Sequence, residues 1–444
     1  MHLLIISEAA PGEARSANAR LMGLLKAFPA LGVTCDILTV KSQEKMSVGM
    51  PPPDGRVVKV VVPLTGRIRK TNSVLLTDGG YARACIRHPG LRTAAAAGVR
   101  LVDERRPDAI VATVPHAMML EIGYQVSIAT GVPLVADWRD PVALRPFSGW
   151  PNRRYYLKLK HREETWARHA ILNIATAPSY ERILAREYRC RTCLVSNGCE
   201  PAEPAREIDA GTVLYTGNLT AVSRGFARRF PPIIHERVLN CMTMGLLFHA
   251  PFAERIRYHA FGRSALAAMS AHASRIGRLA FQGGKLENIS DCLKPGLCNV
   301  LSHAPWVTPD EAQRAMTRAQ LLWLCLAGTD DRHGEPVIAS KVFGYLASGR
   351  PIFAVLPPEC DTSEVLRGQP GVFLADPNDP GALEDSFRQA LDLPPAKRFE
   401  RDVSGLRRDV LAGRFVEAIR AAITGSRANA AGPGAPTPAR DATP

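Results

Sequence analysis

The hydrophobic positions of this chain form short continuous apolar runs that alternate with longer stretches of helical spacing. Short apolar runs bounded by turn residues are typical of buried strands, and apolar positions about every three to four residues are typical of amphipathic helices. In the first half, the runs predict strands at residues 3–7, 33–40, 57–62, 107–113, 132–137, 171–176 and 192–196. The intervening stretches predict helices at residues 17–28, 94–104, 116–130, 153–169 and 178–187. This alternation predicts a parallel sheet covered by helices on both faces.

Residues 201–204, Pro-Ala-Glu-Pro, interrupt this pattern and predict an interdomain linker. The alternation then resumes, with strands predicted at 213–216, 255–262, 298–302, 320–325, 351–355 and 372–375. Helices are predicted at 233–242, 264–276, 309–318, 380–391 and 414–423. Residues 279–297, with their Gly-Gly and Pro-Gly pairs, are interpreted as an insertion between core elements.

These patterns predict an α/β chain with two Rossmann-like domains, one at residues 1–203 and one at 204–400. A C-terminal helix within residues 401–424 is expected to pack back on the first domain. Residues 425–444 are rich in Ala, Pro, Gly and Thr, a composition that predicts a disordered tail.

Residues 340–355 predict a helix, a glycine turn and a buried strand in direct succession. Ser340 is a good N-cap, Gly349 is placed to end the helix, and Pro351 prevents its continuation. A helix N-terminus carries a partial positive charge and free N–H groups. The start of this helix is therefore a candidate anion site.

The composition is that of a globular protein with anionic partners. The chain has 444 residues, 46% of them hydrophobic, a net charge of +14 and a pI near 9.5. Such a charge suits nucleotide sugars, anionic lipid or nucleic acid. The basic residues are spread through the predicted core elements, which argues against a nucleic-acid-binding function. The densest basic segment, residues 153–162, has two interpretations: a helix lying on an anionic membrane surface, or a solvated helix face.

The sequence predicts neither a membrane span nor a disulfide framework. No apolar stretch approaches the ~18 residues that cross a bilayer, and the N-terminus is interpreted as a first strand, not a signal peptide. We expect a cytoplasmic protein, either free or attached at the inner face of the membrane. The ten cysteines are scattered, and the Cys190–Cys193 CxxC lacks a second pair at zinc spacing. Structural thiols are expected, with metal or redox chemistry as the alternative.

Three elements of the second predicted domain supply groups that bind phosphate. Gly217 and Asn218 turn the chain after the first strand, and Ser340 and Lys341 begin the helix described above. The basic candidates between them are Arg224, Arg228 and Arg229. Glu335 lies in a polar loop at the carboxyl end of a strand, where open sheets bind ligands, and suits the hydroxyls of a sugar or ribose. A tight strand exit at Gly217 and a solvated carboxylate at Glu335 are the alternatives.

Residues 340–355 resemble the C-terminal signature of nucleotide-sugar glycosyltransferases of the GT-B fold, two facing Rossmann-like domains, and especially glycosyltransferase family 4. Residues 137–142, Asp-Trp-Arg-Asp-Pro-Val, resemble the Asp-Phe-Arg-Asp-Pro-Trp motif of a bacterial branch of that family. Residues 196–200 resemble the turn that ends the first domain, where Gly198 is expected to take a positive φ. No dinucleotide fingerprint and no Walker A loop occur.

The resemblance implies that the start of the helix at Ser340 and Lys341 binds the diphosphate of the donor, together with an arginine approximated by Arg224. Family members hold the ribose with a Glu where this chain has Gly344. Glu335 is the candidate replacement.

On the acceptor side, the resemblance implies a loop at residues 8–16 and the motif that starts at Asp137. The acceptor-side candidates are Arg15, Ser16, Asn18, Asp137, Arg139 and Asp140. The resemblance also implies that His116 contacts the transferred sugar, so His116 and Asp137 are the catalytic candidates. The alternatives are a capped helix at Ser16, an internal Asp–Arg lock in the motif, and a structural histidine.

The function implied by the resemblance is transfer of a hexose from a nucleoside diphosphate sugar to a glycan or lipid-linked acceptor, with retention of configuration, in polysaccharide biosynthesis. It implies no metal and no cofactor, because cationic side chains balance the diphosphate. Two alternatives stay open. One is a degenerate member that binds nucleotide, glycan or a partner protein without catalysis, and the other is a sugar-nucleotide epimerase on the same fold.

Overall fold

The computed structural model of the protein describes residues 1–8, 16–41, 55–61, 89–114, 117–139, 153–217, 219–220, 265–282, 286–287, 295–304, 307–326 and 338–431. Within these residues lie a 7-stranded sheet and a 6-stranded sheet. Both are parallel and carry helices between most successive strands, as the alternating pattern predicts.

The first sheet has the order β3-β2-β1-β4-β5-β6-β7. Its strands are β1 (His2–Ser7), β2 (Thr34–Lys41), β3 (Val57–Val61), β4 (Ala109–Thr113), β5 (Leu134–Trp138), β6 (Leu172–Ala175) and β7 (Thr192–Leu194). The helices of this half are α1 (Ser16–Ala27), α2 (Pro89–Glu104), α3 (Ala117–Thr130), α4 (Arg153–His169) and α5 (Pro178–Glu187). Strands β4 and β5 are fully buried, and β1 is buried from Leu3 onward, which explains their apolar sequences.

The second sheet has the order β12-β10-β8-β13-β14-β15, and β9 and β11 form a separate pair. The strands are β8 (Asp209–Thr216), β9 (Leu219–Thr220), β10 (Arg278–Gln282), β11 (Leu286–Glu287), β12 (Leu301–Ala304), β13 (Ala319–Cys325), β14 (Ile352–Val355) and β15 (Val372–Ala375). The helices are α6 (265–271), α7 (Pro295–Cys298), α8 (Pro309–Arg318), α9 (Lys341–Ser348), α10 (Asp361–Leu366), α11 (Pro380–Leu391) and α12 (Arg408–Ala431).

The C-terminal helix α12 packs against the first sheet, not the second. Its buried Phe415 and Ile419 share one apolar cluster with Leu21 and Leu24 of α1 and with Ile5 of β1. Arg420 of α12 also donates to a backbone carbonyl after α1, at 2.6 Å. The last helix therefore completes the core of the first domain.

The two segments that cross between the sheets are hydrogen-bonded to each other. The Cys199 N–H donates to the Leu406 carbonyl at 2.9 Å, and the Arg408 N–H donates to the Cys199 carbonyl at 3.0 Å. Gly198 precedes this contact with φ of +70°, as predicted, and a Cβ there would lie 2.7 Å from the Leu406 oxygen. Only glycine fits this crossing point without strain.

Two predictions about the extent of elements are wrong. Residues 279–297 are not an insertion, because β10 (Arg278–Gln282) pairs with both β8 and β12 inside the sheet. The glycine pair that suggested an insertion comes only after this strand. The tail predicted to be disordered from Gly425 begins as helix, since α12 continues to Ala431. Its alanines favour helix, and the first proline of the tail comes later, at Pro433.

Candidate functional site

Helix α9 begins at the carboxyl end of the second sheet, and contacts at its C-terminal end hold it in place. Gly349 ends it in the left-handed region, with φ of +69°, as predicted. Arg401 donates to the Tyr345 and Leu346 carbonyls at 3.3 and 3.4 Å, which places a positive charge at the helix C-terminus. Ser340 occupies the N-cap position, but its side chain makes no capping hydrogen bond. The predicted cap is therefore wrong, because the Ser340 backbone is helical and not extended.

Tyr345 connects α9 to the strands beneath it. Its hydroxyl accepts the Thr216 N–H at 3.0 Å and donates to the Trp323 carbonyl at 3.1 Å. Burial raises the pKa of Tyr345 to about 12, so the phenol stays protonated at neutral pH. These bonds hold the first turns of α9 above the ends of β8 and β13.

Lys341, the first residue of α9, lies against the turn that follows β8. Its Nζ is 3.8 Å from the centroid of the Tyr215 ring. Gly217 has φ of +102°, and a Cβ at that position would lie 3.2 Å from the same Nζ. A side chain at residue 217 would thus compete with the ammonium group for space. The glycine is needed both for its backbone conformation and for the position of Lys341.

The charge on Lys341 is poorly balanced within the described residues, where no carboxylate forms an ion pair with it. Desolvation lowers the pKa of this lysine from its usual value to about 7. The Tyr215 ring stabilises the cation only partly, and that ring packs in turn on Phe281 and Trp323. A half-buried ammonium beside a glycine turn and a helix N-terminus is suited to bind an anion.

Gly344, where the family signature has Glu, faces a neighbouring helix. A Cβ at this position would lie 3.2 Å from Met316 Sδ and 3.8 Å from Gln313 Oε1, both on α8. The absence of a side chain at residue 344 lets α8 and α9 approach closely. The structure thus gives Gly344 a packing role.

At the carboxyl end of the first sheet, Asp137 is engaged inside the fold. Arg20 of α1 donates to both of its oxygens, at 2.9 and 3.3 Å, and the Thr113 hydroxyl donates at 2.8 Å. Arg20 also donates to the Val195 and Ser196 carbonyls at 2.8 and 2.9 Å. Asp137 is only 2% exposed and Arg20 only 6%. This buried pair ties α1, β5 and the end of the first domain together.

The Asp137–Arg20 pair is a buried ion pair that joins β5 to α1. The alternative of an Asp–Arg lock within the motif loop stays a prediction, because Asp140 lies outside the described residues. The Arg139 carbonyl accepts a hydrogen bond from the Thr176 hydroxyl at 2.9 Å. The neighbouring Trp138 is fully buried and donates to Asn173 at 2.8 Å. Asp137 and Trp138 of the motif therefore belong to the core, whereas Arg139 is half-buried.

Of the residues predicted for the site, the structure brings Gly217 and Lys341 together and places Asp137 and Arg139 in the other domain. The remaining predictions lie outside the described residues: Arg15, His116, Asp140, Asn218, Arg224 and Glu335, with the side chains of Ser16 and Asn18. Sequence reasoning missed Tyr215, Tyr345 and Arg20. Their roles depend on contacts between distant parts of the chain, for which a single sequence offers no signal.

The CxxC cysteines do not form a redox or metal centre in the described structure. Cys190 and Cys193 are free thiols, and burial raises the pKa of Cys190 to about 11. A thiol with so high a pKa is a poor nucleophile at neutral pH. Among the described residues, no cluster of His, Cys, Asp and Glu is arranged to hold a metal ion. None of the described helices has the length and apolar character of a membrane span.

The basic helix α4 uses part of its charge internally. Arg162 donates to the buried Glu121 of α3 through Nε and Nη2, both at 2.6 Å, and Lys160 pairs with Glu187 at 2.7 Å. Leu159 is buried, whereas Leu157 is 50% exposed. Contact of this helix with an anionic membrane stays a prediction.

No family model matches the chain, and no curated protein matches it in sequence. Solved structures match nearly its whole length. Sucrose-phosphate synthase from Thermosynechococcus elongatus is 14% identical, with a TM-score of 0.62 over 97% of this chain and 100% of that chain. Trehalose 6-phosphate synthase from Burkholderia multivorans is 13% identical, with a TM-score of 0.59 over 98% of this chain and 99% of that chain. The lipopolysaccharide outer core galactosyltransferase WaaB is 10% identical, with a TM-score of 0.57 over 95% of this chain and 99% of that chain.

At these identities, the likeness shows the fold alone. The predicted architecture, two Rossmann-like domains in the GT-B arrangement, is confirmed.

Proposed function

We propose that this protein is a glycosyltransferase that moves a hexose from a nucleoside diphosphate sugar to a glycan or lipid-linked acceptor, with retention of configuration. The observation that carries the proposal is Lys341, a partly desolvated cation placed between a helix start and the Gly217 turn. The names of the structural neighbours support a sugar as the transferred group. Another neighbour is named a UDP-forming trehalose-phosphate synthase, which supports a uridine nucleotide as the carrier.

The proposed chemistry is mainly electrostatic. A departing nucleoside diphosphate gains negative charge as its bond to the sugar breaks, and a preorganised cation stabilises that charge most strongly in the transition state. Lys341 and the first turn of α9 supply this positive charge from the second domain. The first domain would place the acceptor oxygen on the same face of the sugar, through residues of the His116, Arg139 and Asp140 region. In this scheme positioning replaces a protein nucleophile.

The test is a panel of nucleotide sugars, starting with UDP-glucose and UDP-galactose, in which binding and release of nucleoside diphosphate are followed separately. Glucose 6-phosphate is a suitable first acceptor, because a trehalose-phosphate synthase neighbour is described in complex with it. Lys341→Ala is expected to weaken donor binding by ~1 to 3 kcal/mol through loss of a charge-assisted contact.

Lys397→Ala is the matched control. Lys397 also lies over an aromatic ring, with Nζ 5.3 Å from the Phe399 centroid, but it is exposed and away from α9's start. This variant should bind the donor as the wild type does. Equal affinities for the Lys341→Ala and Lys397→Ala variants would remove Lys341 from the site, and no binding of any nucleotide sugar would refute the donor site itself.

A second function, binding without catalysis, is favoured by one specific observation. Gly344 replaces the carboxylate that the family uses for ribose, and its position packs against Met316 of α8. A protein with this function would bind nucleotide or glycan and release no nucleoside diphosphate with any acceptor. The same panel therefore separates the two functions.

A further inference from the structure

Helix α5 of the first domain begins without a cap of its own. Its N-cap residue is Ala177, which has no side-chain acceptor, and Pro178 follows at the first helical position. The first N–H groups of a helix have no acceptor within the helix, so they need another acceptor when they are buried. The Ser179 N–H is one of these groups.

Asp361 of the second domain supplies the missing acceptor. Its Oδ1 and Oδ2 accept the Ser179 N–H at 3.1 and 3.2 Å, and Oδ1 accepts the Ser179 hydroxyl at 2.7 Å. Asp361 is the first residue of α10, which follows β14 of the second sheet, and it is only 2% exposed. A carboxylate of one domain thus caps a helix of the other.

The partners of Asp361 differ from those of the buried carboxylate in the first domain. Asp137 faces the guanidinium of Arg20, whereas Asp361 is bound by an uncharged serine and a helix N-terminus. The nearby Arg182 donates to the Ser179 hydroxyl at 2.9 Å. The Asp137 pair would be costly to separate, whereas the Asp361 contact exchanges serine for water at small cost.

We propose that Asp361 and Ser179 form an interdomain latch, a reversible contact that positions the second domain, with Lys341, relative to the first. The latch joins elements that follow β6 and β14, so it acts at the carboxyl ends of both sheets. The crossing segments connect the domains covalently, and one buried apolar cluster contains residues of both domains. The latch adds a directional polar contact to these connections.

The electrostatics of the contact agree with this role. Desolvation, opposed by the Ser179 bonds, raises the pKa of Asp361, while Glu364 raises it further and Arg182 lowers it. The closed contact therefore holds a proton more tightly than a separated, hydrated carboxylate would. Closure is favoured as the pH falls through this raised pKa and is weakened as the pH rises above it.

The test compares domain orientation in the full-length protein by small-angle X-ray scattering. Asp361→Ala is expected to lower the ratio of compact to extended forms by about fivefold, the effect of losing one capping interaction. Asp379→Ala is the matched control, since Asp379 caps α11 inside the second domain by accepting the Ala382 N–H at 2.9 Å. It should lower thermal stability and leave the scattering profile unchanged.

Ser179→Ala is a second variant, in case Asp361→Ala fails to fold. It perturbs the same contact more mildly, because it removes one hydroxyl and keeps the backbone donor. It should open the domains less than Asp361→Ala, and the double variant should be no more open than Asp361→Ala alone, because the two side chains share one contact. Affinity for UDP should stay unchanged in all four variants, since Lys341 lies wholly on the second domain. An unchanged profile for Asp361→Ala, or an equal expansion for Asp379→Ala, would overturn the latch.

Discussion

The pKa of Lys341 leads to a direct prediction for the pH dependence of donor binding. In the free protein, desolvation lowers this pKa to about 7, while the Tyr215 ring lies 3.8 Å below the ammonium group. A bound diphosphate would face the same group with negative charge and favour its protonated form. The pKa of Lys341 is therefore expected to rise when the donor binds.

The size of the change in donor affinity follows from the coupling between protonation of Lys341 and donor binding. Below about pH 7, Lys341 is already protonated, and its contribution to affinity is constant. Above about pH 7, the free protein has lost the proton and must take it up again on binding, which costs about 1.4 kcal/mol per pH unit. Donor affinity should thus fall by about tenfold for each pH unit until the pKa of the complex is reached. The phosphate, with its own pKa near about 6, keeps a constant charge over this range.

Isothermal titration calorimetry with UDP, from about pH 7 to about pH 9, measures both parts of the prediction. Affinity should decrease with pH, and titrations above about pH 8 in two buffers of different ionisation enthalpy should show uptake approaching one proton per UDP. Lys341→Arg is the control, because a guanidinium stays charged throughout this range and its pH profile should be flat. Equal slopes for the wild type and Lys341→Arg, or binding without proton uptake, would refute this reasoning.

The other predictions concern the contacts that surround the two sheet edges. Gly217→Ala should destabilise the protein by ~1 to 3 kcal/mol in urea unfolding and also weaken UDP binding, because alanine is strained at φ of +102° and displaces Lys341. Asp137→Asn should cost ~3 to 5 kcal/mol, because it leaves the buried Arg20 uncompensated; normal stability with lost acceptor binding would instead indicate a ligand role. Tyr345→Phe should cost ~1 to 3 kcal/mol in the same assay by leaving a buried N–H unpaired, and no loss would contradict that assignment.

The order of elements could be predicted from the sequence because it depends on local patterns. The predicted bounds of α4, α5, α8 and α11 agree with the structure, and each of these helices has clear helical spacing or a start signal such as proline in its first turn. Strand β10 was missed because glycine and proline pairs nearby outweighed its short apolar core, Leu279 to Phe281. Local signals of opposite meaning can be resolved only by the pairing partners, here β8 and β12.

The candidate site was less predictable, since its contacts join distant residues. Arg20 and Asp137 are 117 positions apart, and Thr216 and Tyr345 are 129 positions apart. A sequence shows that an aspartate or a tyrosine has polar atoms, but the fold decides which partners they meet. The helix start at Lys341 could be predicted, whereas the burial that lowers its pKa could not.

The two predicted charges, Asp137 and Lys341, differ in how far the fold itself satisfies them. Asp137 has a cation, a hydroxyl and almost no exposure, so a ligand could reach it only by breaking a buried ion pair. Lys341 has an aromatic ring and a glycine turn, and within the described residues no ion pair offsets its desolvation. A buried charge that costs stability persists more readily where a ligand completes it. At this edge of the second domain, ligand binding and protein stability should therefore respond oppositely to mutation. Lys341→Met would remove the desolvation cost and raise stability, and it would also remove the anion contact and weaken ligand binding.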